Sequence, residues 1–125
     1  MTAAQYVALA RGAVTPQVLA NARNLGTGFV LSVHRDGRVS AAFNQRDPES
    51  VMWARCLPEN TVSEDALVRA LLASAVEIRS CSRLPEWRYA ALLRYPLHST
   101  VRYGNSETAA RDALLDALLA SPEGR

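Results

Sequence analysis

Two segments of this sequence share nearly the same pattern of residues: TVSEDALVRALLASAVE at 61–77 and NSETAARDALLDALLAS at 105–121. When Ser63 is aligned with Ser106, a glutamate follows in both segments, and several alanines and leucines coincide over the next turns. Alanine and leucine at helical spacing behind a polar capping residue predict a helix in each segment. A chain with two such helices must cover two similar apolar faces, so the repetition predicts two related units.

The boundaries of these two helices follow from their caps and their apolar faces. Thr61 and Glu64 form a predicted capping box at the start of the first helix, whose apolar face continues as far as Ile78. The predicted buried side of the second helix consists of Ala110, Ala113, Leu114, Ala117 and Leu118.

The segment GFVLSVHRDGRVSAAF at 28–43 alternates between apolar and polar residues, which predicts a β-hairpin. A two-residue turn would set the apolar face of one strand beside the polar face of the other, whereas a three-residue loop at 35–37 matches the faces. That loop needs Gly37 in the left-handed conformation. The predicted pairs are Val33 with Val39, Leu31 with Ala41 and Phe29 with Phe43.

The remaining elements complete an α+β fold with a mainly antiparallel sheet. Further strands are predicted at 51–57, 86–95 and 98–104, and N-terminal helices at 3–11 and 15–25, with a break at Gly12, a cap at Thr15 and a stop at Gly26. The sequence therefore predicts two strand-strand-helix units, with the N-terminal helices packed on the sheet. Its 125 residues suit a single domain, 1–125, with a pseudo-repeat at 28–78 and 86–121.

The end of the chain carries a family resemblance. STVRYG, followed by SETAARDALLDALLA, resembles the closing segment of small phage-encoded α/β sandwich proteins, in which a sheet is followed by an alanine- and leucine-rich helix. The resemblance covers roughly the last third of the chain. It implies an origin in a phage or another mobile element, and a compact binding protein without known catalysis.

The basic residues are all arginine, and the net charge is only +2 at pH 7. Two interpretations stay open: codon bias in a GC-rich genome, and selection for guanidinium groups that hold phosphate or carboxylate with two hydrogen bonds. The arginines are spread along the chain and interleaved with acids, so they form no dense nucleic-acid-binding tail. We predict that the outward faces of the hairpins carry a binding surface for an acidic protein or for nucleic acid. Its residues are His34, Arg35, Arg38, Arg88 and Arg94.

A second candidate surface lies near the N-terminus, where residues 8–24 are similar to a helix-turn-helix unit. Ala8, Gly12 and Val18 stand where that motif has a small residue, a turn glycine and a buried aliphatic residue. The alternative is two helices that only cover the sheet. In the DNA-binding interpretation, the second helix presents Gln17, Asn21, Arg23 and Asn24 to a duplex.

Motifs for catalysis or cofactor binding are absent from the sequence. It contains no nucleophile elbow, phosphate-binding glycine loop or zinc-protease motif, and Cys56, Cys81, His34 and His98 lack the spacing of a metal site. We therefore predict no catalytic residues, no metal and no cofactor. No apolar run has membrane-spanning length, and the N-terminus lacks a secretory pattern, so we expect a cytoplasmic protein with reduced cysteines.

The functional prediction is a non-enzymatic binding protein, encoded by a phage or mobile element, that acts by protein-protein interaction and inhibits a host protein. The alternative is a DNA-binding regulator that uses residues 8–24, and a small hydrolase or transferase ranks third. A homodimer stays open, through an exposed edge strand or through the second of the two similar helices.

Overall fold

The computed structural model describes residues 2–25, 28–56, 63–81, 88–94 and 101–120. The helices of this part of the chain are α1 (Ala3–Ala13), α2 (Pro16–Leu25), α3 (Glu64–Ala73) and α4 (Glu107–Ala120). The strands are β1 (Phe29–Val33), β2 (Val39–Phe43), β3 (Met52–Arg55), β4 (Val76–Ser80), β5 (Tyr89–Leu93) and β6 (Arg102–Gly104).

The strands form two antiparallel sheets of three strands, with the orders β2-β1-β3 and β4-β5-β6. Each sheet is followed along the chain by a helix, α3 or α4. The chain divides into two compact units, one of Ala8–Ser74 and one of Met1–Val7 with Ala75–Arg125. The predicted α+β class, with antiparallel sheets and helices packed on them, is confirmed.

The first hairpin has the predicted three-residue loop. Val33 pairs with Val39 and Phe29 with Phe43, and Gly37 has φ +90°, in the left-handed region that favours glycine. Asp36 supports the loop, since its carboxylate accepts a hydrogen bond from the backbone N–H of Arg38 at 3.0 Å. Matching the apolar faces of the two strands therefore fixed the register.

The centre of the first sheet is β1, and all five of its residues are buried. The strand lies between β2 and β3, and the helix α3 contacts β3. The largest fully buried side chains of this unit include Leu31, Met52, Leu71 and Leu72. By contrast, β2 is half-buried at its start and exposed from Ala41 to Phe43, so one edge of the sheet extends beyond the core.

The second sheet is centred on β5, where Ala90, Ala91 and Leu93 are buried. The helix α4 packs on β5 and β6. Its fully covered residues are Ala110, Leu114, Leu115 and Leu118. Leu115 was not in the predicted set, and the predicted Ala113 and Ala117 are only half-buried.

The two similar helices begin with the same cap. The Ser63 side chain accepts a hydrogen bond from Ala66 N at 3.1 Å, and the Ser106 side chain accepts one from Ala109 N at 3.0 Å. A serine oxygen that satisfies a first-turn N–H is the usual device at this position. The alignment of Ser63 with Ser106 therefore identifies equivalent structural positions.

The predicted extension of the first helix to Ile78 is wrong. The helix α3 ends at Ala73, where the Ser74 hydroxyl donates to Leu71 O at 2.6 Å and accepts from Trp53 N at 2.9 Å. Ile78 lies in β4, which pairs with β5 in the second sheet. The β-branched residues of VEIRS alternate with charged ones, and this period of two outweighs the helical pattern upstream. The second sheet consequently has three strands, one more than the two predicted at 86–95 and 98–104.

The predicted break at Gly12 is also wrong, because α1 continues through Gly12 to Ala13. Gly12 is exposed, and the helix tolerates it there. The predicted cap of α2 is confirmed, since the Thr15 hydroxyl accepts a hydrogen bond from Val18 N at 3.2 Å and Pro16 opens the helix. The predicted capping box of Thr61 and Glu64 is wrong, because α3 begins at Glu64 and its N-cap is Ser63. The predicted stop at Gly26 lies outside the described residues, and the single domain 1–125 stays a prediction.

Two glycines give opposite predictions for the same substitution. A Cβ on Gly104 would lie 2.5 Å from Ala110 N and 2.9 Å from the carbonyl carbon of Ala109, whereas a Cβ on Gly12 would meet nothing within 4 Å. We expect Gly104→Ala to lower the free energy of unfolding by about 1–3 kcal/mol, because β6 and α4 must separate. Gly12→Ala should raise it by about 0.5–1 kcal/mol, through better helix propensity. Urea denaturation measures both, and a neutral Gly104→Ala would contradict the close approach.

Candidate functional site: an edge strand beside a polar pocket

The backbone of β2 presents alternate residues to β1 and to the free edge of the sheet. Asn44 N donates to Gly28 O and His34 N donates to Arg38 O, so the even-numbered residues of this segment face β1. In an antiparallel pair the intervening residues point their N–H and C=O groups the other way. The outer edge therefore carries the backbone groups of Val39, Ala41 and Phe43, and no described strand pairs with them.

Within the described part of the chain, this edge lacks the usual protection against strand pairing. The strand contains no charged residue and no proline, and its register with β1 is continuous. Phe43 is 56% exposed, the largest value among the large exposed hydrophobic residues of the described chain. Natural edges are commonly blocked by lysine, proline, bulges or a covering segment. An uncovered apolar edge is therefore a candidate contact surface.

A polar pocket of about 320 Å³ lies next to the same strand. Its lining residues are Ser32, Ser40, Ala41, Ala42, Gln45, Arg46, Asp47 and Pro48. The segment after β2 forms one wall of the pocket because Asn44 has φ 58°, which turns the chain at the end of the strand. The loop then returns over the hairpin face that carries Ser32 and Ser40.

Asp47 fixes this loop to the hairpin. Its backbone N donates to the Ser32 hydroxyl at 3.1 Å, and its Oδ2 lies 3.1 Å from His34 Nε2. Its other carboxylate oxygen accepts from Glu49 N at 3.0 Å, while its carbonyl accepts from the N–H and the hydroxyl of Ser50. One aspartate thus provides partners to two buried polar side chains, Ser32 in β1 and His34 directly after it, and to the turn that follows.

The predicted outward placement of His34 is wrong. The residue is only 5% exposed, and Ser32 on the same face is 1% exposed. The alternation of the strand correctly separates a polar from an apolar face, but the loop through Asp47 covers the polar one. His34 therefore supports the loop and does not offer its imidazole to a partner.

Ser40, His34 and Asp47 do not form a catalytic triad, although the residue types match. Both contacts are made by the same ring nitrogen: His34 Nε2 lies 3.4 Å from Ser40 Oγ and 3.1 Å from Asp47 Oδ2. A carboxylate only accepts hydrogen bonds, so Nε2 carries a proton in this contact. It then has no lone pair with which to take the serine proton, as a general base in a triad must.

The arginines of this unit are held in different ways. The guanidinium carbon of Arg46 lies 5.7 Å from the centroid of the Trp53 ring, within cation–π range. Arg55 donates to the Asn44 side chain at 3.1 Å. Arg35 and Arg38 are exposed at the hairpin turn, as predicted. The turn therefore carries positive charge at the start of the β2 edge.

The other predicted binding arginines, Arg88 and Arg94, belong to the second sheet. Both are exposed at the two ends of β5, where Arg88 O accepts from Cys81 N and Arg94 N donates to Ala75 O. Their backbones thus extend the pairing of β4 with β5. The structure brings Arg35 and Arg38 together on one unit, and it holds Arg88 and Arg94 on the other.

The residues of the predicted DNA-reading helix are exposed on α2. They are Gln17, Asn21, Arg23 and Asn24. The connection between the helices consists of Val14 and Thr15 and is shorter than the turn of about three or four residues in the DNA-binding motif. Gly12 is helical, as described above, so it is not the turn glycine of such a motif. Val18 is half-buried, which agrees with its predicted inward position.

The thiol of Cys56 is unsuited to nucleophilic chemistry. The residue is buried at the end of β3, and burial raises the pKa of its thiol above the ordinary value because the thiolate loses hydration. Among the described residues, no three histidine, cysteine or acidic side chains are grouped so as to hold a metal ion. His98 lies outside the described residues.

Sequence reasoning missed Asp47 and the pocket. The segment NQRDPES at 44–50 has the composition of a loop, so its local pattern predicts a turn and no functional residue. The available signal was an adjacent pair of strands with serine and histidine on one face. Buried polar side chains need partners, and the nearest loop supplies one.

Comparisons with known proteins give no match: no family model, no curated protein and no solved structure is significantly similar to this chain. None of the described helices is long and apolar enough to cross a membrane.

The contacts of Asp47 predict an unequal effect of two aspartate substitutions. Asp47 and Asp36 each accept a hydrogen bond from the N–H two residues further on, both at 3.0 Å, but only Asp47 also contacts buried His34. We expect Asp47→Ala to lower the free energy of unfolding by about 2–3 kcal/mol, because a buried imidazole loses its carboxylate. Asp36→Ala should cost about 0.5–1 kcal/mol. Equal losses in urea denaturation would show that the His34 contact contributes nothing.

Proposed function

We propose that this chain is a non-enzymatic binding protein and that the outer edge of β2 accepts an extended segment of a partner protein. The observation that carries the proposal is an uncharged, exposed edge strand beside a polar pocket. In recognition by strand addition, main-chain hydrogen bonds give affinity and pockets for alternate side chains give specificity. Both parts are found on the same hairpin.

The main-chain part consists of the outward N–H and C=O groups of Val39, Ala41 and Phe43. Each hydrogen bond to a partner strand contributes about 0.5–1.5 kcal/mol. Burial of the exposed Phe43 ring adds apolar area to the contact. An extended partner segment with an apolar residue opposite this ring fits the edge.

The specificity part comes from the pocket and the hairpin turn. Gln45, Arg46 and Asp47 line the pocket, so it suits a polar side chain of the added strand. Arg35 and Arg38 at the turn favour acidic residues at one end of the partner segment. The charge at the turn therefore favours the acidic partner predicted from the sequence. The arginines of this surface all belong to one unit, so Arg88 and Arg94 are not part of it.

The biological setting is proposed from the sequence. The resemblance of the last third of the chain to phage-encoded α/β sandwich proteins supports an origin in a phage or mobile element. A protein of this kind would inhibit a host protein by occupying a segment that the host protein needs for its own contacts.

Selection from a random peptide library, followed by binding measurements with the Ala41→Pro variant, tests the proposal. Because the Ala41 N–H points away from β1, proline there removes an outward donor and leaves the pairing with β1 intact. We expect selected peptides to lose about 10-fold or more in affinity for Ala41→Pro. N-methylation of successive peptide amides should weaken binding at every second position, since alternate amides face the edge.

The matched control is Arg23→Glu, a charge reversal on exposed α2, which should bind the same peptides as the unmodified chain. Circular dichroism checks that both variants are folded. Peptides that bind Ala41→Pro as tightly as the unmodified chain would place the binding surface elsewhere and overturn the proposal.

DNA binding by α2 remains the second candidate, because the four residues proposed to read a duplex are all exposed on one helix. Fluorescence anisotropy with duplex DNA, from low to physiological salt, tests it. The regulator hypothesis expects binding that weakens steeply with salt and is lost in Arg23→Glu but kept in Ala41→Pro. The two variants therefore separate the two functions, and absence of duplex binding at low salt would eliminate this one.

A further inference from the structure

We propose that a second copy of this chain occupies the β2 edge, with the two β2 strands antiparallel and Ala41 opposite Ala41 about a two-fold axis. This proposal rests on the proposed function, because it concerns the same edge of β2 and says what occupies it. The contact joins the three-stranded sheets of the two copies into one continuous antiparallel sheet. Such a symmetric contact is closed, since the same surface of both copies is used.

The direction of the backbone groups restricts the register. Only Val39, Ala41 and Phe43 present N–H and C=O groups outward, so only these residues can form hydrogen-bonded pairs with a second strand. With Ala41 opposite Ala41, Val39 faces Phe43 of the second copy, and every outward residue is paired within the strand. A shift by two residues opposes Phe43 to Gly37, or Val39 to Gln45, both outside the strand.

The side chains suit the same register. Val39, Ala41 and Phe43 lie on one face of β2, because side chains alternate along a strand. The two alanines at the axis are small, and each Phe43 ring lies beside Val39 of the other copy. An aromatic residue beside a β-branched residue is a favourable cross-strand pair. The contact therefore covers the exposed Phe43 ring of both copies.

Charge also permits this contact. The strand itself carries no charge, so no like charges are brought together at its centre. With Ala41 opposite Ala41, Arg38 of one copy lies opposite Asn44 of the other. The positively charged turns of the two copies therefore stand at opposite ends of the contact and do not meet.

Dimerisation and the binding of a partner strand use the same hydrogen-bonding groups. The dimer is then the resting state of the chain, and a partner must displace one copy to bind. Partner affinity consequently falls as the protein concentration rises, by mass action. Binding of the partner is therefore regulated by the concentration of the protein itself.

Light scattering across a range of protein concentrations tests the association. The mass should rise from 13.6 kDa towards about twice that value. Ala41→Pro should stay monomeric at every concentration, while Arg23→Glu should associate like the unmodified chain. A monomer at all concentrations would overturn the proposal.

Disulfide trapping tests the register and does not depend on the proline variant. In a Cys81→Ser background, Ala41→Cys places thiols in a hydrogen-bonded pair with Cα atoms about 5.5 Å apart, within disulfide range. Ala42→Cys is the matched control, because Ala42 opposes Ser40 and its two copies are about 8 Å apart. We expect rapid cross-linking at position 41 and little at position 42. Equal trapping, or a dimer trapped at neither position, would contradict this register.

The outcomes separate this inference from the proposed function. A chain that stays monomeric but binds peptides through the β2 edge would overturn the dimer and leave the proposed function standing. If Ala41→Cys traps the dimer but the unmodified chain binds no peptide even when diluted below the dissociation constant of its dimer, the dimer is supported and the proposed function is overturned.

Discussion

The contacts of Asp47 with two buried polar residues of the first hairpin are the interactions on which the first sheet and its candidate site depend. Ser32 lies in the fully buried strand β1 and His34 directly follows it, and Asp47 supplies a hydrogen-bonding partner to each. Without it, Ser32 would lose the N–H that donates to it, and His34 would keep only its 3.4 Å contact with Ser40. Desolvation of buried polar groups is costly beside the small net stability of a folded chain. The same contacts bring the loop after β2 over the hairpin, which forms the pocket beside the edge of β2, with which no described strand pairs.

Both units of the chain combine a three-stranded antiparallel sheet with a helix, but the strands of the two sheets are arranged in a different order. Both α3 and α4 begin with a serine cap and follow a three-stranded antiparallel sheet. The order of strands is β2-β1-β3 in one and β4-β5-β6 in the other. The central strand of the first sheet, β1, is the first of its three strands along the chain, whereas the central strand of the second sheet, β5, is the second of its three. The similarity of the helices therefore does not extend to the strand order of the sheets.

Sequence reasoning reached the register of the first hairpin because matched faces leave only one loop length. It missed β4, because a short alternating run directly after a helix has too few residues to compete with the helical period. The sequence predicted an outward His34 because alternation separates a polar from an apolar face of a strand. It does not indicate that another segment, here the loop through Asp47, covers the polar face. The pocket depends on a contact between Asp47 and Ser32, fifteen residues apart, and no local pattern encodes such a contact.

The central claim is that alternate residues of β2 face an unpaired edge, and amide hydrogen exchange of β2 in dilute solution tests it most directly. The account predicts slow exchange at Ser40 and Ala42, whose N–H groups face β1, and fast exchange at Val39, Ala41 and Phe43 while the chain is monomeric. Slow exchange at all five amides of the monomer would show that the outer edge is already paired. That result would contradict the account and leave no surface for a partner strand or for a second copy.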